Sequence, residues 1–199
     1  MLSDNYKKPS TDEKKAFYYF GFERLAPFKD VKENEYYETP VLWAVTKGIT
    51  TGTTKETFSP DEKCTRGQIV TFLWRAAGKP APKTTKNPFI DVKEGEYYYD
   101  AVLWAVENNI TQGMDATHFE PNTTCTRGQV ATFLWRAEKK PTTKTTTGFA
   151  DIQKSAYYYD AVLWAVEKKI TNGMGNNRFE PEMTCTRGQI TTFLFRANT

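Results

Sequence analysis

The pentapeptide CTRGQ occurs three times in this chain, at 64–68, 125–129 and 185–189. It belongs to a longer repeat: the unit that begins with FKDVKENEYY at Phe28 aligns without a gap with FIDVKEGEYY at Phe89 and again with FADIQKSAYY at Phe149. A repeat of this length indicates one supersecondary unit used three times, in which neighbouring units bury each other's apolar faces. We predict an N-terminal extension at 1–27 and three units at 28–80, 89–141 and 149–199. The units are joined by two linkers rich in Pro, Thr and Lys, at 81–88 and 142–148.

Each unit has the pattern of a helix, a loop and a second helix. In the second copy, apolar side chains recur at Tyr98, Ala101, Val102, Ala105 and Val106, which lie on one face of a helix. A glycine-containing loop follows, and CTRGQ then begins a second run of helical period. The fold class is therefore all-α. A core of about fifty residues is too small to be stable alone, so we expect the units either to close into a pseudo-threefold bundle or to form an open stack.

Composition excludes several classes of protein. The chain is 39% hydrophobic and 26% charged, as a folded soluble protein is. Its net charge is only +3 and it has no basic block, which argues against nucleic acid, and no apolar run is long enough to insert into a membrane. The first residues, MLSDNYKKPSTDEKK, lack the apolar core of a signal peptide. Either an exported protein is represented by its mature form, or the protein is intracellular.

The first residues of CTRGQ predict a capped helix start. With Thr65 as N-cap, Gln68 is the third helical residue, and Thr-x-x-Gln is a capping box. Cys64 then packs on Ile69 as a hydrophobic staple, and Cys125 with Val130 and Cys185 with Ile190 repeat the pair. Because the three cysteines have no CxxC spacing and no neighbouring histidine, we favour this packing role over a disulfide framework or a metal site.

The arginine of CTRGQ breaks a local rule. A cation in the first turn of a helix is unfavourable by about 0.3–1 kcal/mol because the helix N-terminus carries partial positive charge. One interpretation is a carboxylate partner from the FxD turns, Asp30, Asp91 or Asp151. The other is an external anion, bound by the guanidinium and by free amides of the first turn, with Gly67 allowing close approach. Both interpretations stay open at this level.

The other recurring aromatic residues favour packing. For the tryptophans of VLWAV we prefer burial to sugar stacking. The replacement of Trp74 and Trp135 by Phe195 predicts a position that needs bulk and no indole hydrogen bond. For three tyrosines we prefer packing at a rim to stacking on a sugar ring: Tyr36, Tyr97 and Tyr157. The single His118 is not repeated, so no catalytic set with histidine can serve three units, and we expect neither enzymatic activity nor a cofactor.

The order of motifs resembles the S-layer homology (SLH) domain family over residues 28–199. The resemblance rests on the order of five motifs: FxD, an aromatic-rich helix, a GIT-x-G loop, F-x-P and TRG. In the first unit these motifs are, in the same order, Phe28 with Asp30, the helix through Trp43, Gly48 to Gly52, Phe58 with Pro60, and Thr65 to Gln68. It implies a pseudo-threefold bundle with three helical prongs. Such domains anchor bacterial surface proteins non-covalently to a secondary cell-wall polysaccharide, commonly one with pyruvate ketals, through grooves between units.

The resemblance also implies site residues. The ligand-binding set would be Arg66, Arg127, Arg187, Asp30, Asp91, Asp151, Gly52, Gly113, Gly173, Gln68, Gln129 and Gln189, with no catalytic residue and no metal. The glutamines stand where the family has glutamate, which makes each groove less negative. The implied protein is secreted and lies at the bacterial cell wall or S-layer. The alternative is a protein–protein interaction module of a surface or phage assembly, and a wall-active enzyme is the remote third. The sequence is compatible with a monomer.

Overall fold

The computed structural model describes residues 28–146 and 149–199. This part of the chain contains six α-helices and no β-strand. The helices are α1 Glu38–Thr46, α2 Arg66–Ala76, α3 Tyr99–Glu107, α4 Arg127–Ala137, α5 Tyr159–Glu167 and α6 Arg187–Ala197. Each unit thus has a helix of nine residues, a loop and a helix of eleven residues. The prediction of an all-α fold of helix–loop–helix repeats is confirmed. The predicted N-terminal extension, residues 1–27, lies outside the described residues.

The second helix of each unit begins where the capping box predicts. In α2 the side chain of Thr65 accepts a hydrogen bond from the Gln68 amide at 3.3 Å, and the Gln68 side-chain oxygen accepts one from the Thr65 amide at 3.1 Å. Helices α4 and α6 have the same reciprocal pair. The role predicted for the three glutamines as capping residues is therefore confirmed, and helix starts at Arg66, Arg127 and Arg187 follow from it.

The core forms between units. Helix α2 packs on α3, α4 packs on α5, and α6 of the last unit packs on α1 of the first. The second helices also contact each other, α2 with α4 and α4 with α6. The contacts therefore run in cyclic order, which supports the closed arrangement over the open stack, while exact pseudo-threefold symmetry and three prongs stay predictions.

The three cysteines lie where the units meet. The Cys64 amide donates to the Cys185 carbonyl, Cys125 donates to Cys64, and Cys185 donates to Cys125, each at 2.9 Å. All three side chains are fully buried free thiols in one core cluster with Ile69, Val130 and Ile190, so their packing role is confirmed. Burial raises the pKa of Cys125 and of Cys185 to about 12, so these thiols stay protonated. Within the described ranges, no cluster of His, Cys, Asp or Glu is arranged to hold a metal ion.

Hydrogen bonds hold each linker where it leaves the helix and again near its middle. The indole Nε1 of Trp74 donates to the Pro80 carbonyl at 2.9 Å, and Trp135 donates to Pro141 in the same way. The prediction that this position needs no indole hydrogen bond is therefore wrong, because the indole binds the chain as it leaves the helix. Further along, the Thr84 amide donates to the Glu107 carboxylate at the end of α3. In the part of the chain that is described, no helix is long and apolar enough to cross a membrane.

Candidate functional site: grooves between the units

The arginine of each CTRGQ is buried against the loop of the next unit. Arg127 is only 1% exposed, its Nε donates to the Phe179 carbonyl at 2.8 Å, and its guanidinium lies over the rings of Phe179 and Phe193 at 4.8 and 5.5 Å. Arg66 binds Phe119 and Arg187 binds Phe58 in the same way. Burial lowers the pKa of Arg127 from its usual value. The buried Nη2 of all three arginines has no hydrogen-bond partner among the residues that the structure describes.

The first-turn amides are not free to bind an external anion. The Arg127 amide donates to the Met183 carbonyl at 2.9 Å, and the Gly128 amide donates to the Pro181 carbonyl at 2.8 Å. A Cβ at Gly128 would lie 2.8 Å from the Tyr158 ring, so this glycine allows close approach of the neighbouring unit. The prediction that amides of the first turn bind ligand is therefore wrong in all three units, since Arg66, Gly67, Arg187 and Gly188 make equivalent bonds.

The aspartates of the FxD turns hold the same loop without pairing with the arginine. Asp151 accepts hydrogen bonds from the Phe179 amide at 2.9 Å and the Glu180 amide at 2.7 Å, as Asp30 and Asp91 do in their units. Burial alone would raise the pKa of Asp151, but these amide bonds lower it below its usual value. The Phe179 peptide thus donates to Asp151 and accepts from Arg127. The interpretation of a direct Arg–Asp pair is wrong, because both side chains bind this peptide.

A groove of about 350 Å³ opens beside Arg127 and is built by all three units. It is lined by Tyr36 of the first unit, Arg127 of the second, and Thr171, Asn172, Gly173, Met174, Gln189, Thr192, Phe193 and Arg196 of the third. Two of these residues are cationic and none is acidic. Of the predicted site residues, the structure brings Arg127, Gly173 and Gln189 together here, whereas Asp151 is not among the lining residues.

The glycine of the groove is required by the loop conformation. Gly173 has φ +82°, and a Cβ there would lie 2.5 Å from the Arg178 carbonyl oxygen and 2.6 Å from the Phe149 ring. Its amide donates to the hydroxyl of Thr171 at 3.1 Å. Gly52 and Gly113 have the same conformation and the same crowding in their units. Gly173 thus shapes the wall of this groove, whereas a role of Gly52, Gly113 and Gly173 in ligand binding stays a prediction.

Two groove residues were not predicted as ligand-binding residues. Arg196 donates from Nη1 to the Ile170 carbonyl at 3.1 Å and lines the groove, and its place in the last turn of α6 also suits the helix dipole. Tyr36 is 50% exposed, packs edge-on against Tyr37 and is hydrogen-bonded to the Thr186 side chain. An arginine and a tyrosine recur at these positions in every unit, and this recurrence could have identified both as groove residues from the sequence.

At the other two junctions, the equivalent tyrosine and arginines are close enough to interact electrostatically. Burial raises the pKa of Tyr97, and the nearby charges of Arg187 and Arg75 oppose that shift. The Tyr157 hydroxyl likewise interacts with Arg66 and Arg136. The other two junctions therefore place a tyrosine near two arginines, as the groove beside Arg127 does.

Comparison with protein families identifies this architecture. The model of the S-layer homology domain matches residues 27–70, 88–131 and 148–191. The chain belongs to the S-layer homology domain family. The three matches fall on the three units and cover well over half of the chain, so the SLH domains are tandem repeats whose loops and CTRGQ arginines form the junctions described above.

Relatives of known description contain the same SLH region. The chain is 26% identical over 183 residues to an amylopullulanase of Thermoanaerobacterium thermosulfurigenes, covering 89% of this chain and 10% of that protein. It is 25% identical over 174 residues to an S-layer protein of Bacillus thuringiensis subsp. finitimus, covering 86% and 21%. It is 29% identical over 180 residues to an endoglucanase of Bacillus sp. (strain KSM-635), covering 85% and 19%. The chain thus spans about a fifth or less of the length of these relatives.

The family and these relatives support anchoring at the cell surface. SLH domains bind cell-wall polymer in general, and the S-layer and cell-surface relatives indicate association with the cell surface or cell wall. The enzymes among the relatives match through the SLH region, which is an anchoring module. The activities that their names give therefore belong to those proteins.

Proposed function

We propose that this chain anchors a secreted bacterial protein to an anionic secondary cell-wall polysaccharide, with pyruvate ketals as the recognised groups, through the grooves between its SLH repeats. The observation that supports this most is the groove beside Arg127, which contains two arginines and no acidic residue among its lining side chains. An excess of cations in a concave site attracts anions and raises their local concentration.

The electrostatics of Arg127 favour a carboxylate. Its guanidinium is removed from water, and its Nη2 has no hydrogen-bond partner among the described residues. A buried cation without full compensation is costly, and a carboxylate relieves that cost through short, charge-assisted hydrogen bonds. A pyruvate ketal presents one carboxylate on a sugar ring. Arg196, at the same groove, would supply the second positive charge.

The remaining lining suits a sugar ring. Tyr36 offers a half-exposed aromatic ring at the rim, and Met174 is 45% exposed beside the groove loop. Aromatic rings present a large apolar surface with a polar group at one end, which matches the mixed character of a pyranose. The volume of about 350 Å³ lies within the range of small-molecule sites. Three junctions on one chain would also bind a repeating polymer with avidity.

The first experiment is calorimetric titration of the chain with purified secondary cell-wall polysaccharide, before and after mild acid removal of the pyruvate ketals. We expect saturable binding that is lost on removal of the ketals. Binding that survives the acid treatment would point to another feature of the glycan. Absence of binding to either form would reject the glycan and favour the alternative, a protein–protein module with an acidic partner.

A charge-insertion variant tests the groove without disturbing the fold. Met174→Glu places a carboxylate at the groove, and we expect affinity for the polysaccharide to fall at least about tenfold because like charges repel. Ile90→Glu is the matched control, since Ile90 is 70% exposed and does not line this groove. Equal affinity of the two variants would exclude this groove as the binding site. Arg127→Ala is a poorer choice, because Arg127 also joins two units.

A further inference from the structure

We propose that Met174 and Met114 recognise the methyl group of a pyruvate ketal, and that the first unit, with Thr53 at the equivalent position, lacks this contact. Such recognition rests on the proposed function, because it concerns the same ligand in the same grooves. The ketal carbon formed from pyruvate carries a carboxylate and a methyl group side by side. A groove that matches both groups needs a cation for the carboxylate and an apolar side chain for the methyl.

The groove of the third unit contains such a pair of side chains. Arg127 and Met174 line the same groove, and the buried Nη2 of Arg127 has no hydrogen-bond partner among the described residues. Met174 is 45% exposed, so a ligand can reach its side chain. A thioether side chain is flexible and polarisable, and it adapts its shape to a small apolar group. Arg127 would therefore bind the carboxylate while Met174 covers the methyl.

The loop backbone holds both methionines in the same way. The Met174 amide donates to the Arg178 carbonyl at 2.8 Å, directly after Gly173, which shapes the groove wall. The Met114 amide donates to the His118 carbonyl, also at 2.8 Å, and Met114 is 49% exposed. The two methionines therefore occupy one position of the repeated loop, and both are accessible.

The loop that carries Met114 is bound by two arginines. Arg136 donates from Nη1 to the Ile110 carbonyl at 3.2 Å, where the loop begins. Arg66 donates from Nε to the Phe119 carbonyl at 2.7 Å, where the loop ends. In the third unit, the two arginines of the groove bind the equivalent carbonyls of their loop. The second unit therefore offers the same combination of cations and an exposed methionine.

The first unit has the same loop backbone and a different side chain. The Thr53 amide donates to the Thr57 carbonyl at 2.8 Å, as the methionine amides do in their loops. Its hydroxyl also donates to the Thr57 carbonyl, at 3.1 Å, and lies 2.8 Å from the Ser59 hydroxyl oxygen. This short side chain is thus bonded to its own loop. The groove served by Arg187 keeps its cation but has no long apolar side chain at this position.

A glycine amide next to the methionine reports on its groove alone. The full chain is labelled with ¹⁵N-glycine and titrated with an oligosaccharide fragment of the polysaccharide that carries a single ketal, and the NMR shift of the Gly173 amide is followed. Met174→Thr should raise the fragment concentration at half of the full shift about fourfold, the effect of losing contact with about one methyl group. The fold should tolerate this change, because Thr53 occupies the equivalent loop position. An unchanged concentration would overturn the proposal.

Met183→Thr is the matched control. It makes the same chemical exchange at a side chain that is 37% exposed and does not line this groove. Thr123 occupies the equivalent position in the second unit, so the fold should tolerate this change as well. We expect the Gly173 titration to match that of the unchanged chain. A rise equal to that in Met174→Thr would overturn the proposal, because the effect would then not depend on the groove.

Thr53→Met tests the reverse change, in which a damaged fold cannot imitate the expected result. The Gly52 amide, which reports on the first unit, should reach half of its shift at about fourfold less fragment, because the groove gains one methyl contact. In the unchanged chain, a nuclear Overhauser effect should join the ε-methyl of Met174 to the ketal methyl. Absence of the gain, or of the Overhauser effect at saturation, would overturn the proposal.

Removal of the ketal separates this proposal from the proposed function. If the Gly173 amide does not respond to the intact fragment, or responds equally after the ketal is removed, ketal recognition fails and the role of the methionine fails with it. If the response requires the ketal but is the same in Met174→Thr, ketal recognition stands and only the role of the methionine is overturned.

Discussion

Arg187 donates from Nε to the carbonyl of Phe58 at 2.8 Å, across 129 residues of sequence, and so joins the last unit to the first. The guanidinium also lies over the Phe58 ring, 4.7 Å from its centroid. The same contact joins the first unit to the second through Arg66 and the second to the third through Arg127. An arginine that is unfavourable at a helix N-terminus therefore has a structural role at every junction. We propose that the guanidinium donors left without a partner in this contact bind the ligand.

Arg187→Met should weaken the junction of the last and first units. The variant keeps an unbranched aliphatic chain but leaves the buried Phe58 carbonyl without its donor, which costs about 1–3 kcal/mol of unfolding free energy. Urea denaturation followed by circular dichroism measures the loss. Arg178→Met is the control, because half of the Arg178 side chain is exposed and its short ion pair, at 2.6 Å, is with the part-exposed Glu180. Equal stability of the two variants would show that the buried contact contributes nothing.

Two glycines in one loop separate backbone strain from crowding. Gly173 and Gly175 have φ +82° and +93°, but only Gly173 has atoms within 4 Å of an added Cβ. Gly175→Ala should therefore cost only the strain of a left-handed conformation, about 1–2 kcal/mol. Gly173→Ala should cost clearly more and should also reduce glycan binding, because the groove wall must move. Thermal denaturation and titration of both variants measure this, and equal losses would refute the crowding argument.

The aspartates predict a specific loss of stability in acid. Because the folded protein holds the pKa of Asp151 below its usual value, the stabilisation is present above the unfolded value of about 3.9 and is lost as pH falls through the folded pKa. Asp151→Asn should lower stability at neutral pH by about 1–3 kcal/mol, since an amide cannot accept from both loop amides. The variant should also show a shallower decline below pH 4. Parallel pH curves for the two proteins would contradict the assignment.

That comparison isolates Asp151 from other carboxylates that titrate in the same range. The pKa of Asp115 is lowered to about 2 by hydrogen bonds, of which that of the Thr117 amide is the largest cause. The pKa of Glu167 is also lowered to about 2, mainly by the hydroxyls of Thr143 and Thr145. Both side chains remain unchanged in Asp151→Asn, so only the difference between the two curves belongs to Asp151.

The three thiols should be unreactive in the folded protein. Cys64, Cys125 and Cys185 are fully buried, and burial raises the pKa of the last two to about 12, so the reactive thiolate is scarce and inaccessible at pH 8. A thiol-specific disulfide reagent should label none of them in native buffer and all three in denaturant. Rapid labelling of even one native thiol would contradict the closed contact of the three CTRGQ segments. A cysteine-free variant with three Cys→Ser changes supplies the baseline.

Local rules predicted much of the fold. Thr65 and Gln68 are three residues apart, and the capping box depends only on these neighbours, so the helix start follows from sequence. The helical period of the apolar residues likewise identifies Ala101, Val102 and Ala105 as buried. The role of Trp74 was missed because its partner, the Pro80 carbonyl, depends on how the chain turns after the helix.

The sequence by itself determined three helix–loop–helix units, their caps and an arginine that needs a partner, because these properties depend on residues within a few positions of each other. Only the tertiary structure decided which partner that is. Arg127 binds a carbonyl 52 residues away rather than Asp151, because the next unit's loop occupies the first turn of α4 and the aspartate is already bonded to that loop. The groove takes Tyr36, Arg127 and Arg196 from three different units. Its composition follows from the cyclic order of packing, which no local pattern specifies.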